Sequence, residues 1–275
     1  MSFGRVPWIH LVVACTCLAV TFIVFPGFHY LDNPAVSSIV HSISCWDNAD
    51  PMIHGVELPV ATLSETDTLR FFVVGDWGVI NAPVKYLDEI DQSIPVKLAH
   101  SMNRYASKHR THFIVSLGDH FYPHGVNSTD DPRWKTSYKN TFDLDNLRQL
   151  RWYSILGNHD ISGNKVAVEG GFPESNWDSY PVAQIKYTNH NSRWCMPSYY
   201  YSFSFKLEDF TATFIGIDTN ILTMCSKTEH PYCRGPSLSS PDITRNMLIW
   251  LEDQLKRSSE AGHVIIVFGH SGHFD

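Results

Sequence analysis

The 275-residue sequence is short of positive charge: 21 Lys and Arg stand against 28 Asp and Glu, a formal net charge of −7. That balance disfavours a sequence-independent nucleic-acid binder, which needs a basic footprint to neutralise phosphates. Cysteine is scarce, six in all, and the spacing resembles no CxxC metal site. Internal repeats and low-complexity tracts are missing. With 43% hydrophobic, 18% charged and 13% aromatic residues, the chain is not a disordered tail, a coiled coil or a collagen. Its length suits one large domain or two small ones, able to bury a sizeable core. What is plentiful is histidine: protonating all 15 would reverse the sign of the net charge, so the charge depends strongly on mild acidity.

Val6 to Phe25 is uncharged over 20 residues, the ~20 that a helix needs to cross a bilayer. Arg5 precedes the run, and Asp32 and Asp47 are the first charges after it. The positive-inside bias then leaves the bulk of the chain outside the cytoplasm or in a lumen. No A-x-A cleavage site is evident, so a signal anchor over residues 1–27 is preferred to a cleaved signal peptide. The alternative is a secreted or lysosomal protein. Either route ends in an oxidising space. Cys45, Cys195, Cys225 and Cys233 lie outside the run and allow two disulfides in three connectivities, with Cys225 and Cys233 near enough to close a small loop. Asn127-Ser128-Thr129 is a glycosylation sequon, expected on a surface loop.

Residues 28–68 lack periodicity and read as a stalk running into the domain edge. From Leu69 the pattern changes. Apolar runs at 69–75, 112–118, 151–157, 200–206, 210–218 and 263–269 read as strands. Residues 94–108 place Leu98, Met102, Tyr105 and Ala106 at helical spacing, with Pro95 near the start. Ser240-Pro241 reads as an N-cap and first helical residue, followed by Ile243, Met247, Leu251 and Leu255 on one face. Residues 161–198, rich in Gly, Asn, Ser and Pro, read as a long surface excursion. Alternating strands and helices imply an α/β fold.

Four of these strands end alike, at a Gly followed by a metal-ligand type: Gly75-Asp76-Trp77-Gly78, Gly118-Asp119-His120-Phe121-Tyr122, Gly157-Asn158-His159-Asp160 and Gly269-His270. Ligands in α/β sheets bind at the carboxyl ends of strands. The repeated layout would gather Asp76, Asp119, Tyr122, Asn158, His159 and His270. Carboxylates, a phenol, an amide oxygen and imidazole without a thiolate suit iron, manganese or zinc, not a soft-metal or cluster site. Asp119, in the middle of the set, is placed to bridge two metals, and a pair about 3.5–4 Å apart can clamp the attacking and leaving oxygens of a phosphoryl displacement.

These four motifs resemble those of the purple acid phosphatases, and most closely the small tartrate-resistant type. The resemblance runs from about residue 69 to 271 and extends to WCMPSYYYSFSF, FIGIDTNILTMC and LIWLEDQLKRS. It implies a calcineurin-like metallophosphoesterase sandwich: an α/β domain over 69–275 of two mixed sheets flanked by helices. It also implies an acid phosphatase acting on phosphate monoesters by attack of a metal-bound hydroxide; a monomer is expected. In that pattern Asp76 and Tyr122 hold iron(III), Asp119 bridges, and Asn158 and His270 hold the second metal, iron(II), zinc or manganese. His159 contacts phosphate and protonates the leaving alcohol. Asp160 is placed to orient His159.

The chain departs from the pattern near its end. A later GHxH motif, which supplies two more histidines in the family, is missing, and Gly269-His270-Ser271-Gly272-His273 does not replace it. The expectation is a domain incomplete at its C-terminus, with His273 as a substitute ligand or phosphate contact. His120 stands where Asn is more common and is a candidate phosphate contact. Two other functions compete: a phosphodiesterase of the same superfamily, and a catalytically dead, membrane-anchored binding protein.

Overall fold

The computed structural model describes residues 8–14, 45, 49–64, 66–78, 93–122, 124–161, 179–225, 231–234 and 236–271. In chain order its elements are β1 (Trp8–Ala14), β2 (Val56–Glu57), β3 (Ala61–Thr62), β4 (Thr68–Val74), α1 (Ile94–Ala106) and β5 (Phe113–Ser116). A π-helical turn, Trp134–Lys139, runs into α2 (Asn140–Phe142). Then come β6 (Arg151–Ser154), α3 (Asn158–Ile161), α4 (Ser179–Tyr187), β7 (Trp194–Cys195), β8 (Tyr201–Lys206) and β9 (Thr211–Gly216). The last three are α5 (Thr219–Met224), α6 (Ile243–Glu260) and β10 (Val264–Phe268).

The strands form two sheets. One has the order β1-β4-β5-β6-β7, and its pairs among the described residues are parallel. The other has the order β10-β9-β8-β2, with β3 also on β8, and is mixed: β8 and β9 are antiparallel and the remaining pairs parallel.

The sheets meet through aromatic rings. Phe71, Phe113 and Tyr153 on β4, β5 and β6 pack on Phe203, Phe205 and Phe214 of β8 and β9. Tyr153 and Phe203 stack at 3.7 Å, and Phe113 and Phe205 at 4.7 Å. This explains the Ser-aromatic alternation of β8. A strand has period two, so Phe203 and Phe205 face the core while Ser202 and Ser204 face away. Ser202 donates to Oε1 of Gln254 on α6 at 2.9 Å. A second aromatic group, Trp77, Phe121, Tyr138, Phe142, Trp152 and Trp194, is buried under the turns that follow β4, β5 and β6.

The helix expected over 94–108 is α1, with Pro95 in its first turn and Pro95, Ala99 and Met102 buried. Five other expectations are corrected. Ser240-Pro241 forms a turn ahead of α6: the Ser240 carbonyl accepts from Ile243 N–H at 3.1 Å, and Asp242 is the N-cap. The buried stripe of α6 runs Ile243, Met247, Gln254, Ser258, while Leu255 is exposed. Steps of four overshoot each turn by about 40°, so a strict i+4 series winds off the core face. Residues 49–64, expected as stalk, belong to the domain: β2 and β3 join the second sheet, and Val56, Leu58, Ala61 and Leu63 are buried. The surface excursion expected over 161–198 contains α4 and β7, with Ile185 and Trp194 buried; 162–178 lie outside the described residues.

The fifth concerns the apolar run. Trp8–Ala14, expected within a spanning helix, is strand β1, paired in parallel with Thr68–Val74. A short run of Val, Leu and Ile suits a buried strand as well as a helix, and periodicity alone does not separate them. Residues 15–27 lie outside the described residues. Among the described residues no helix is long and apolar enough to cross a membrane. The disulfides are Cys45–Cys195 and Cys225–Cys233, consistent with an oxidising compartment.

Candidate metal centre

β4, β5 and β6 lie side by side and parallel, so the turns after them open on one edge. The turn after β10 arrives there from the second sheet. Asp76 and Asp119 sit at φ of 55° and 54°, in the left-handed region that non-glycine residues enter at a cost. The turns are in backbone contact. Gly118 has φ of 100°, and a side chain on it would strike the backbone nitrogen of Gly157; one on Gly157 would strike the Asp119 carboxylate. Glycine at both places is what lets Asp119 and Asn158 approach each other.

Asp76, Asp119 and His270 offer one ligand atom each within 4.8 Å of one another. The Tyr122 hydroxyl lies 3.0 Å from Asp76 Oδ1 and 2.7 Å from Asp119 Oδ2. Asp119 Oδ1 accepts the His159 backbone N–H at 2.9 Å. His270 Nδ1 is 2.8 Å from the Leu117 carbonyl and Nε2 is 3.0 Å from Asn158 Oδ1. The five expected ligands are therefore together. The His159 ring joins them, its centroid 4.5 Å from that of Tyr122.

The electrostatics call for a cation. Burial, then the charge of Asp160, raises the Asp119 carboxyl above its ordinary range. Burial, then Asp119 and Asp76, pushes the Tyr122 phenol well above 10. One phenol proton serves two carboxylates. The Leu117 carbonyl can only accept, so His270 Nδ1 donates to it and Nε2 is the ring nitrogen turned to the site. Nε2 lies 3.0 Å from the Asn158 oxygen and 3.6 Å from Asp119 Oδ1. Carboxylates, an amide oxygen and an imidazole edge converging on one point are a setting that a positive ion would satisfy. The donor set fits a hard or intermediate metal.

Two site expectations change. Asp160, expected to orient His159, turns elsewhere: it is fully buried and accepts from His120 N–H at 3.0 Å, Gly157 N–H at 2.9 Å and Gln184 Nε2 at 3.0 Å. His120, expected at the phosphate, is also fully buried, between Trp77 and Trp194 with centroids at 5.3 and 4.9 Å. The ring is apolar enough in its contacts to pack under the turn while its backbone N–H points to Asp160. Asn127 is exposed, as a sequon requires. His273 lies outside the described residues.

Sequence reasoning missed Gln184, which lies on α4 with no motif around it. It also missed Asp218-Thr219-Asn220. Asp218 is buried, caps α5 through Asn220 N–H at 2.9 Å and accepts from the Tyr232 hydroxyl. Burial pushes its carboxyl up to about 6. Thr219 Oγ1 accepts Ser271 N–H at 3.1 Å, and Asn220 Nδ2 reaches the Leu156 carbonyl at 3.4 Å. The triplet thus steadies the turns that carry His270 and Asn158. Its signal was available: a carboxylate after a strand and before a helix is an N-cap.

The parallel strands and the acidic, histidine-bearing turns at their ends define a metallophosphoesterase, and the chain belongs to the calcineurin-like phosphoesterase family, whose pattern matches residues 69–274. It is similar to tartrate-resistant acid phosphatase type 5 of Mus musculus, 32% identical over 219 residues, which are 78% of this chain and 59% of the relative. It is also similar to purple acid phosphatase 7 of Arabidopsis thaliana, 36% identical over 100 residues, 36% of this chain and 27% of that one. Among solved structures it resembles GAP50, described as the anchor in the inner membrane complex of Plasmodium, at TM-score 0.46 and 26% identity, covering 73% of this chain and 54% of that one. The chain spans about three fifths of the length of the tartrate-resistant relatives.

Proposed function

We propose that this protein is an acid phosphatase that hydrolyses phosphate monoesters at a dinuclear centre of iron(III) with iron(II), zinc or manganese. The observation that carries the reading is Tyr122 shared between the carboxylates of Asp76 and Asp119, with the acceptor atoms of Asn158 and His270 beside them. Such a centre, when bound, supplies Lewis acidity and the nucleophile for in-line displacement at phosphorus.

The chain's own residues would divide the remaining work. Asp76 and Tyr122 hold one metal, Asn158 and His270 the other, and Asp119 lies between them. Tyr122 marks the trivalent position, since a phenol whose proton is held so firmly ionises only against a strong positive charge. The half-buried His159 ring sits at the rim, where it would donate to a phosphate oxygen and return a proton to the leaving alcohol. Trp77, 1% exposed and tied by its indole N–H to Ser116 Oγ at 2.8 Å, closes the floor against water. The disulfides support a secreted or lysosomal setting.

The test is elemental analysis for iron, zinc and manganese, with hydrolysis of p-nitrophenyl phosphate at pH 5, on the full chain and on Asp119→Asn. About two metal ions per chain with turnover is the expected result, lost in the variant. Metal-free Asp119→Asn should unfold at higher denaturant than metal-free wild type at pH 7, because it removes a buried carboxylate that resists ionisation. A wild-type chain that takes up no metal, or that prefers a diester, overturns the reading.

A further inference from the structure

Gln184 has no assigned role, yet its side chain is fully buried beside two ligand-bearing turns. Nε2 donates to Asp160 Oδ1 at 3.0 Å, and Oε1 lies 2.9 Å from His120 Nδ1. A carboxylate only accepts, so the amide NH2 must face Asp160 and the amide oxygen must face His120. His120 Nδ1 therefore carries a proton and donates it to Gln184. Nδ1 also lies 3.3 Å from Asp160 Oδ2. The other ring nitrogen, Nε2, is buried without a hydrogen-bond partner among the described residues. Among the described residues, the Nδ1 edge of this imidazole makes its hydrogen bonds.

The carboxylate at the centre of this group joins two turns. It accepts His120 N–H, next to Asp119, and Gly157 N–H, next to Asn158. We infer that Gln184 and the Nδ1 edge of His120 are positioning groups for the metal centre: they fix the rotation of Asp160, which holds the Asp119 and Asn158 turns side by side. The inference rests on the metal-centre reading above. The chemistry needed at position 120 is a single N–H at the δ position. An asparagine supplies that group at that place; a glutamine extends its amide to the ε position, where nothing waits for it.

The experiment uses the full chain, stripped of metal and titrated with zinc against a competing chelator. His120→Asn should bind zinc within about threefold of wild type, whereas His120→Gln and Gln184→Leu should bind about 10–100-fold more weakly, the usual scale for groups that support ligands. Thermal melting of each metal-free variant accompanies the titration. Nitrogen NMR of wild type should find His120 carrying a proton on Nδ1. Three results overturn the assignment: a ring with no proton on Nδ1, His120→Asn as weak as His120→Gln, or zinc affinity unmoved in every variant while melting temperatures fall. If Gln184→Leu does not fold, the His120 pair and the ring protonation still decide. A wild-type chain that binds no zinc removes the metal-centre reading and the positioning role with it; an Nδ1-protonated ring would then leave the tie as a purely structural one.

Discussion

His112 makes acid stability a question of one side chain. It precedes β5, and its Nδ1 lies 3.1 Å from both the N–H and the carbonyl of Arg70 on β4. Its Nε2 is buried without a hydrogen-bond partner among the described residues. Burial, helped by the charges of Arg110 and Arg70, lowers its pKa to about 4 against the Arg70 hydrogen bond that raises it. The unfolded chain takes up this proton near 6.5 and the folded chain only near 4. The stabilisation is therefore full above 6.5 and is lost as pH falls from there through 4. A shift of this size corresponds to about 2–3 kcal/mol by pH 4.5. In urea unfolding at pH 7.5 and 4.5, wild type should lose about that much more stability than His112→Gln; equal losses would refute the account. The sequence signalled the sensitivity only as a surplus of histidine. Which histidine matters follows from the register of β4 against β5, which composition does not contain.

At the scale of elements, the ligand turns were legible because each combines two local signals: an apolar run ending in glycine, and a ligand type directly after it. Backbone geometry explains why the glycines are there, and Gly118 and Gly262 separate the two reasons. Both have positive φ, 100° and 71°, but a side chain on Gly118 would meet Gly157, while one on Gly262 would meet nothing within 4 Å. Gly262→Ala should cost about 1 kcal/mol, the conformational penalty alone, and leave metal content unchanged. Gly118→Ala adds a backbone collision and should cost at least about 3 kcal/mol, with metal lost as the turns part. Equal effects in denaturant melts and elemental analysis would mean the close approach of the turns does not matter. What was illegible at this scale was local as well. The drift of α6 from Leu255 to Gln254 and Ser258 depends on the helix turning 100° per residue and on Ser202 waiting beneath Gln254.

For the whole molecule, the sequence concealed contacts between segments far apart. Val56 and Ala61 read as stalk because strands of two residues carry no period; only β8, well over a hundred positions later, makes them strands. The Trp8–Ala14 run likewise becomes a strand through the free edge of β4. Gln184 was invisible because its partners, His120 and Asp160, come from other turns. The disulfides put this long-range order to a test. Cys45–Cys195 closes a separation of 150 residues and fastens the segment before β2 to β7, whereas Cys225–Cys233 closes only 8. If the bonds act by restricting the unfolded chain, replacing the first pair with serine should cost more, about 4–5 kcal/mol against about 2–3 for the second. Non-reducing denaturant melts of the two double variants would measure the order. A reversed order would mean that local packing outweighs loop closure. The cause would then lie with Tyr232, inside the small loop, whose hydroxyl holds the buried Asp218 behind the metal centre.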